Sequence, residues 1–256
     1  VIEGVKITVV DSAAQLAVQG AELFRRAAEE AAAARQQFAV AISGGSTPRT
    51  MHRLLAAQPY LSTVPWSKVH LFWVDERLVP ADDPASNYGT ARQDLLDRVP
   101  LPCGHIHPMR LSDNPSSAAS AYQRQLENFF GRKEGGFPVF DLIILGIGAD
   151  GHTASIFPAD RSAVETSSWV VAVKGGKPKV DRLTLSEPVL NRARCVAFLV
   201  AGRDKAEVVK KVVGDENAGL PATRIHPVEG RLLWLLDREA TGMLPRKSRL
   251  FGSGPD

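Results

Sequence analysis

Cysteine is scarce in this chain: 256 residues contain two, Cys103 and Cys195. Two thiols make no disulfide framework and imply no oxidising compartment. Long hydrophobic runs are missing as well. No apolar stretch approaches the ~20 residues that cross a bilayer, so a membrane-spanning protein is not expected. The opening segment, VIEGVKITVVDSAAQ, has no basic stretch followed by an apolar one and a small-residue cleavage site. The expectation is a soluble, cytoplasmic protein. A block of one charge sign is also absent. Lys and Arg total 31 against 28 Asp and Glu, net +3, with the signs interspersed. General nucleic-acid binders carry a basic stripe, so nucleic acid is not an expected partner. A small anionic substrate held by a few directed cations fits this balance. Internal repeats are absent, and the alanine run Ala31–Ala34 simply favours helix. At 44% hydrophobic and 23% charged, the chain has the composition of a globular protein with a substantial core.

Short β-rich runs alternate with helical patterns. Strands are predicted at Val5–Val10, Phe38–Ile42, Val69–Val74, Phe140–Leu145, Trp169–Val173, Cys195–Val200 and Leu232–Leu236. The last two are each followed by a helical pattern. Ser12 is placed to cap a long helix over Ala13–Arg35, with Leu16, Leu23 and Phe24 among its apolar positions. Further helices are expected through Met51, Leu54 and Leu55, near Asn87–Arg98, and over Ser116–Phe130. Strands separated by helices imply an α/β fold, with a mostly parallel sheet covered by helices on both faces. Ligands of such sheets sit beyond the carboxyl ends of the strands, and three clusters fall there.

The first is Ser43-Gly44-Gly45-Ser46-Thr47-Pro48, between a strand and a helix. Glycines let a ligand approach the main chain, and Pro48 suits a first helical turn. Free N–H groups and the positive end of the helix dipole then face the loop, with hydroxyls from Ser43, Ser46 and Thr47. A phosphate would be favoured there, although the Gly-Lys-Ser/Thr ending of a Walker loop is missing. A capped strand–helix turn is the plainer alternative. The second cluster, Asp75-Glu76-Arg77, ends an apolar strand. Such charges often just mark emergence into water. Alternatively, Asp75 and Arg77 stand at the ligand edge, where a guanidinium holds an anion or polarises a carbonyl. Asn87 lies on the same connecting segment.

The third cluster is Gly146-Ile147-Gly148-Ala149-Asp150-Gly151-His152-Thr153. Its glycines match the dinucleotide spacing G-x-G-x-x-G. However, the next predicted strand ends in Val-Lys rather than an acid, so a nicotinamide site is not expected. Asp150-Gly151-His152 says more. Histidine takes and gives protons near neutrality, and a neighbouring carboxylate orients it. A turn-forming histidine is the alternative. Arg182 and Lys205 read in isolation as surface charges, although either reaches a phosphate if the chain folds back. His105-x-His107 beside Cys103 resembles part of a zinc site. A closed site needs four ligands and no further one is near in sequence, so no metal is expected.

Taken together, Ser43–Pro48, Val74–Val79 with Asn87, and Gly146–Pro158 (GIGADGHTASIFP) resemble the 6-phosphogluconolactonase family. They are more distantly similar to the glucosamine-6-phosphate deaminases. The likeness runs over nearly the whole chain. It implies a modified Rossmann-like fold and hydrolysis of a sugar-phosphate lactone by acid–base chemistry without a cofactor. By the same resemblance, His152 matches the general base and Asp150 its supporting acid. Gly44, Gly45, Ser46 and Thr47 match a phosphate loop, Arg182 and Lys205 match phosphate-holding positions, and Asp75 and Arg77 match the family's Asp-Glu-Arg site segment. The deaminases carry a Glu where Phe157 stands, and usually an aromatic where Arg77 stands. Both departures favour the lactonase over the deaminase-isomerase. A non-catalytic sugar-phosphate sensor is the third possibility, and it would normally carry a DNA-binding module, for which no helix-turn-helix is seen. Residues 1–245 are expected to form one hydrolase domain and Arg246–Asp256 a frayed tail. Oligomeric state is not readable.

Overall fold

The computed structural model describes residues 5–112, 114–131, 136–164, 166–214 and 218–244. The expected tail at 246–256 lies outside them. The chain opens with strand β1 (Val5–Val10) and helix α1 (Ala13–Arg35), followed by β2 (Phe38–Ile42), α2 (Ser46–Leu55) and the single turn α3 (Tyr60–Thr63). Next come β3 (Val69–Trp73), the short β4 (Asp75–Arg77), α4 (Asn87–Asp94), β5 (Ile106–His107) and α5 (Pro115–Phe130). The remainder is β6 (Leu142–Leu145), β7 (Val170–Gly175), β8 (Val180–Leu185), α6 (Glu187–Leu190), β9 (Cys195–Val200), α7 (Ala206–Gly214) and β10 (Arg231–Asp237).

Seven strands form one sheet in the order β1-β10-β9-β6-β2-β3-β5, and every neighbouring pair is parallel. Its central strands β2, β6 and β9 are buried along their whole length, as expected of a sheet covered on both sides. From β2 the chain steps outward to β3 and β5, then returns to β6 and continues through β9 to β10 on the other side. The direction of winding therefore reverses between β2 and β6, and a crevice opens beyond their carboxyl ends.

Ser12 caps α1 as its type predicts, with Oγ accepting from Gln15 N–H at 3.3 Å. The buried stripe of α1 is Leu16, Ala17, Gly20, Ala21, Phe24, Ala28 and Ala31, at helical spacing. Its small members bring the helix close to the sheet. A Cβ on Gly20 would lie 2.7 Å from Leu199 Cδ2 and 3.0 Å from Met51 Sδ. Phe24 fills the space beside them, edge-on to Phe38 at 5.3 Å. Truncating such a side chain to alanine costs ~3–5 kcal/mol.

Three expectations need correction. The strand predicted at Trp169–Val173 is not in the parallel sheet. As β7 it joins β8 and β4 in a separate antiparallel sheet of order β4-β8-β7. Residues 176–179 make the hairpin connection from β7 to β8, with Gly176 at φ +76° making the reversal. Hairpin partners need no crossover helix, so alternation of strands and helices misleads here. The helix expected near Asn87–Arg98 ends at Asp94 and passes into a 3-10 turn at Leu96–Arg98. The helical pattern expected after β10 does not form: only turns follow it through residue 244.

Candidate active site

The glycine loop after β2 is tied down by Ser43, whose Oγ donates to Ile144 O at 3.0 Å. Gly45 is the N-cap of α2, with φ +108° and no side chain to occupy the helix end. The first N–H groups of α2, from Ser46 and Thr47, are thus left for a ligand. Gly44 is required by contact: a Cβ there would fall 1.9 Å from Asn87 Oδ1. Asn87 rests on this loop and donates from Nδ2 to Asp75 O at 2.9 Å.

Asp75, Glu76 and Arg77 do not simply emerge into water. They form β4 and pair with Thr184, Leu183 and Arg182 of β8. Asp75 is buried, and its Oδ2 accepts from Ser155 Oγ at 2.6 Å. Arg77 donates from Nη1 to Ala85 O at 2.6 Å, while its buried Nε has no protein partner. Arg182, read alone as a surface charge, is only 3% exposed. Its Nε donates to Gly175 O at 2.9 Å and its Nη2 to Pro178 O at 3.2 Å. Burial and the neighbouring Arg77 charge lower its pKa, outweighing Asp75 and Glu76.

His152 follows β6 at the end of a tight turn, in which Gly148 N–H donates to His152 O and Gly151 N–H to Gly148 O, both at 2.9 Å. The ring lies across Gly148, where a Cβ would meet its Nδ1 at 2.1 Å. Asp150 Oδ1 is 2.5 Å from Nδ1 and also accepts from the His152 N–H at 3.2 Å. Burial pushes the Asp150 carboxyl up, but the hydrogen bond and charge of His152 outweigh it and hold the pKa below its usual value. With Nδ1 committed to a carboxylate, the neutral ring carries its proton there and presents a basic Nε2. Phe157 packs beside this ring at 5.0 Å and lies 5.7 Å from the Arg182 guanidinium carbon.

Lys205 follows β9 in a turn opened by Gly202, whose N–H donates to both Asp237 oxygens at 3.1 Å. Its ammonium lies 3.5 Å from Asp204 Oδ2. The three clusters meet in one cleft of about 330 Å³ beyond β2, β6 and β9. Gly44, Gly45, Ser46 and Thr47 line it on one side. Asp75, Arg77, Arg182, His152 and Lys205 also line it. Asp150 stands behind His152 and is not part of the lining.

Three contributors escaped the sequence reading. Ser155 anchors Asp75, Glu76 organises the start of α4, and Asp237 fixes the turn before Lys205. A serine inside the third motif and an acid between two site residues were visible hints. Nothing local marked Asp237. The histidine pair beside Cys103 gained a partner instead. His70 stacks on His105 at 3.8 Å, and its Nδ1 lies 3.2 Å from His107 Nε2. Even so, among the described residues no group of three or more His, Cys, Asp or Glu is arranged to hold a metal ion.

The family model described as glucosamine-6-phosphate isomerases/6-phosphogluconolactonase matches residues 11–234. The chain belongs to that family. Among curated members, the 6-phosphogluconolactonase of Synechocystis sp. is 43% identical over 214 residues, which cover 82% of this chain and 86% of that protein. The solved 6-phosphogluconolactonase of Trypanosoma brucei superposes with a TM-score of 0.84 at 30% identity, covering 94% of this chain and 98% of that one. The corresponding Thermotoga maritima structure gives a TM-score of 0.80 at 29% identity, with coverage of 91% and 100%. The family match, residues 11–234, takes in every residue that lines the cleft. No helix among the described residues is long and apolar enough to cross a membrane.

Proposed function

We propose that the chain hydrolyses 6-phospho-D-glucono-1,5-lactone to 6-phospho-D-gluconate, the lactonase step of the oxidative pentose phosphate pathway. The observation that carries this reading is the His152–Asp150 pair sharing a cleft with an uncapped helix N-terminus and three cations. The substrate phosphate docks on Gly44–Thr47. Arg182 and Lys205 supply charge, and Arg77, the register partner of Arg182, serves the same anion. Charge-assisted hydrogen bonds of this kind are the strong ones. Docking the phosphate fixes the lactone carbonyl at the other end of the molecule, so binding energy is used for orientation.

His152 Nε2 then removes a proton from water as the oxygen attacks C1. The positive potential of the cleft favours the charge that develops on the carbonyl oxygen. The tetrahedral intermediate collapses, the bond from C1 to the ring oxygen breaks, and the imidazolium returns its proton to that oxygen. The product is the open-chain acid. Asp150 holds the tautomer and stabilises the imidazolium, which makes it a positioning residue rather than a reacting one. Asp75, fixed by Ser155, is available to accept from a sugar hydroxyl.

Phe157 supports hydrolysis over amine chemistry, because a hydrocarbon ring stands beside His152 where the resemblance gives the deaminases an acid. A charged, water-soluble substrate and two free thiols suit a reducing aqueous compartment, and we assign the chain to the cytoplasm. The test is turnover of 6-phosphoglucono-δ-lactone above its spontaneous opening, with the unphosphorylated lactone and glucosamine 6-phosphate as controls. Acceleration confined to the phosphorylated lactone supports the proposal. Ammonia release would make the chain a deaminase, and binding without turnover would make it a sensor.

A further inference from the structure

Between the two site residues Asp75 and Arg77 sits a carboxylate that does not face the cleft. Glu76 is 4% exposed and accepts four hydrogen bonds. Its Oε1 takes the N–H groups of Arg77 at 2.7 Å and Asn87 at 2.8 Å. Its Oε2 takes the N–H of Tyr88 at 2.7 Å and the hydroxyl of Ser86 at 3.2 Å. Ser86 Oγ in turn accepts from Gly89 N–H at 3.0 Å, as the N-cap of α4. One side chain therefore gathers the strand that carries Arg77 and the helix start that carries Asn87.

Both ends of this clamp reach the cleft. Ala85, next to Ser86, provides the carbonyl that holds Arg77 Nη1. Asn87 lies against Gly44 of the phosphate loop, in contact too close for any Cβ. We propose that Glu76 is a positioning residue for the anion site, fixing the Arg77 guanidinium and the Asn87 carboxamide around the substrate phosphate without touching it. Stability alone is a poor reason to bury an acid here. Burial raises the Glu76 pKa to about 7, with Asp75 adding to the effect, despite the N–H groups of Tyr88, Asn87 and Arg77 that lower it. Buried charge is a weak stabiliser.

The inference rests on the lactonase reading, so the test includes a measurement without turnover. Glu76→Gln keeps the size of the side chain but replaces one acceptor oxygen with an amide that donates towards other donors. Calorimetric titration with 6-phosphogluconate is expected to show a Kd raised ~10-fold or more, the scale of a lost hydrogen bond to a charged group. KM should rise with it, kcat at saturation should change less than about 3-fold because Arg77 serves binding, and Tm should stay within a few degrees. Unchanged Kd and KM, or a fall in kcat alone, would overturn the proposal. So would affinity lost only in step with a collapse of Tm, since that marks a merely structural role. If Glu76→Gln does not fold, Ser86→Ala removes one donor to Oε2. It should raise Kd about 2- to 5-fold, the smaller effect of a neutral donor, and an unchanged Kd overturns the idea. A wild-type protein that binds 6-phosphogluconate yet does not accelerate lactone opening counts against the lactonase function, not against this role of Glu76.

Discussion

Arg77 and Arg182 are direct register partners across the antiparallel pair β4–β8, and both line the same cleft. Like charges placed opposite each other on a ladder destabilise it. Asp75 offsets part of this, yet the neighbouring Arg77 charge still works with burial to lower the pKa of Arg182. An anion bound between them, as proposed for the substrate phosphate, would relieve the arrangement. Ligand binding should therefore stabilise the fold strongly, with 6-phosphogluconate at 100 times its Kd adding about 2.7 kcal/mol. Arg77→Met should weaken that affinity by roughly tenfold to a hundredfold. The shift in Tm on adding ligand, measured at low and high salt, checks both.

Gly148 makes room for the His152 ring, because a Cβ there would sit 2.1 Å from both Nδ1 and Cε1 and 2.7 Å from Asp150 Oδ1. Gly148→Ala should displace the imidazole from its carboxylate while leaving the glycine loop at 44–47 in place. The expected outcome is a fall in kcat of ~100-fold, within the range of general acid–base assistance. The Kd for 6-phosphogluconate should change little. Paired turnover and titration measurements decide it.

The parallel sheet was legible because its strands are short apolar runs bounded by helices, as at Phe38–Ile42 and Cys195–Val200. Loop clusters at strand ends were legible for the same reason, since glycines and charges interrupt the apolar pattern. What stayed hidden depended on contacts between distant segments. Arg182 looked like a surface cation until β8 paired with β4, across a separation of about a hundred residues in sequence. Ser155 and Asp75 are 80 residues apart, and nothing local to either announces their bond. The 3-stranded antiparallel sheet stayed hidden because its strands lie within a run of alternating strands and helices, a pattern that points to parallel pairing.

His52 on α2 is buried, with neither ring nitrogen hydrogen-bonded. Burial lowers its pKa from 6.5 to about 4, only partly opposed by the charge of Asp94. The unfolded chain therefore takes up the proton first. This contribution to stability is complete above pH 6.5 and is lost as pH falls towards 4, at up to ~1.4 kcal/mol per pH unit. His70 and His107 are shifted the same way, chiefly by burial. His52→Leu should raise stability near neutrality by about 1 kcal/mol, since it removes an unsatisfied buried polar group. It should also flatten the loss between pH 6.5 and 4. Denaturant melts across that range give both quantities.

The proposed hydrolysis depends on His152, so its replacement is decisive. Steady-state hydrolysis of 6-phosphoglucono-δ-lactone, corrected for spontaneous opening, should fall ~100- to 10,000-fold in His152→Ala, the range of a lost general acid–base. The affinity for 6-phosphogluconate should remain close to wild type, because the imidazole is not assigned to the phosphate. Turnover near the wild-type rate in that variant would contradict the proposed chemistry.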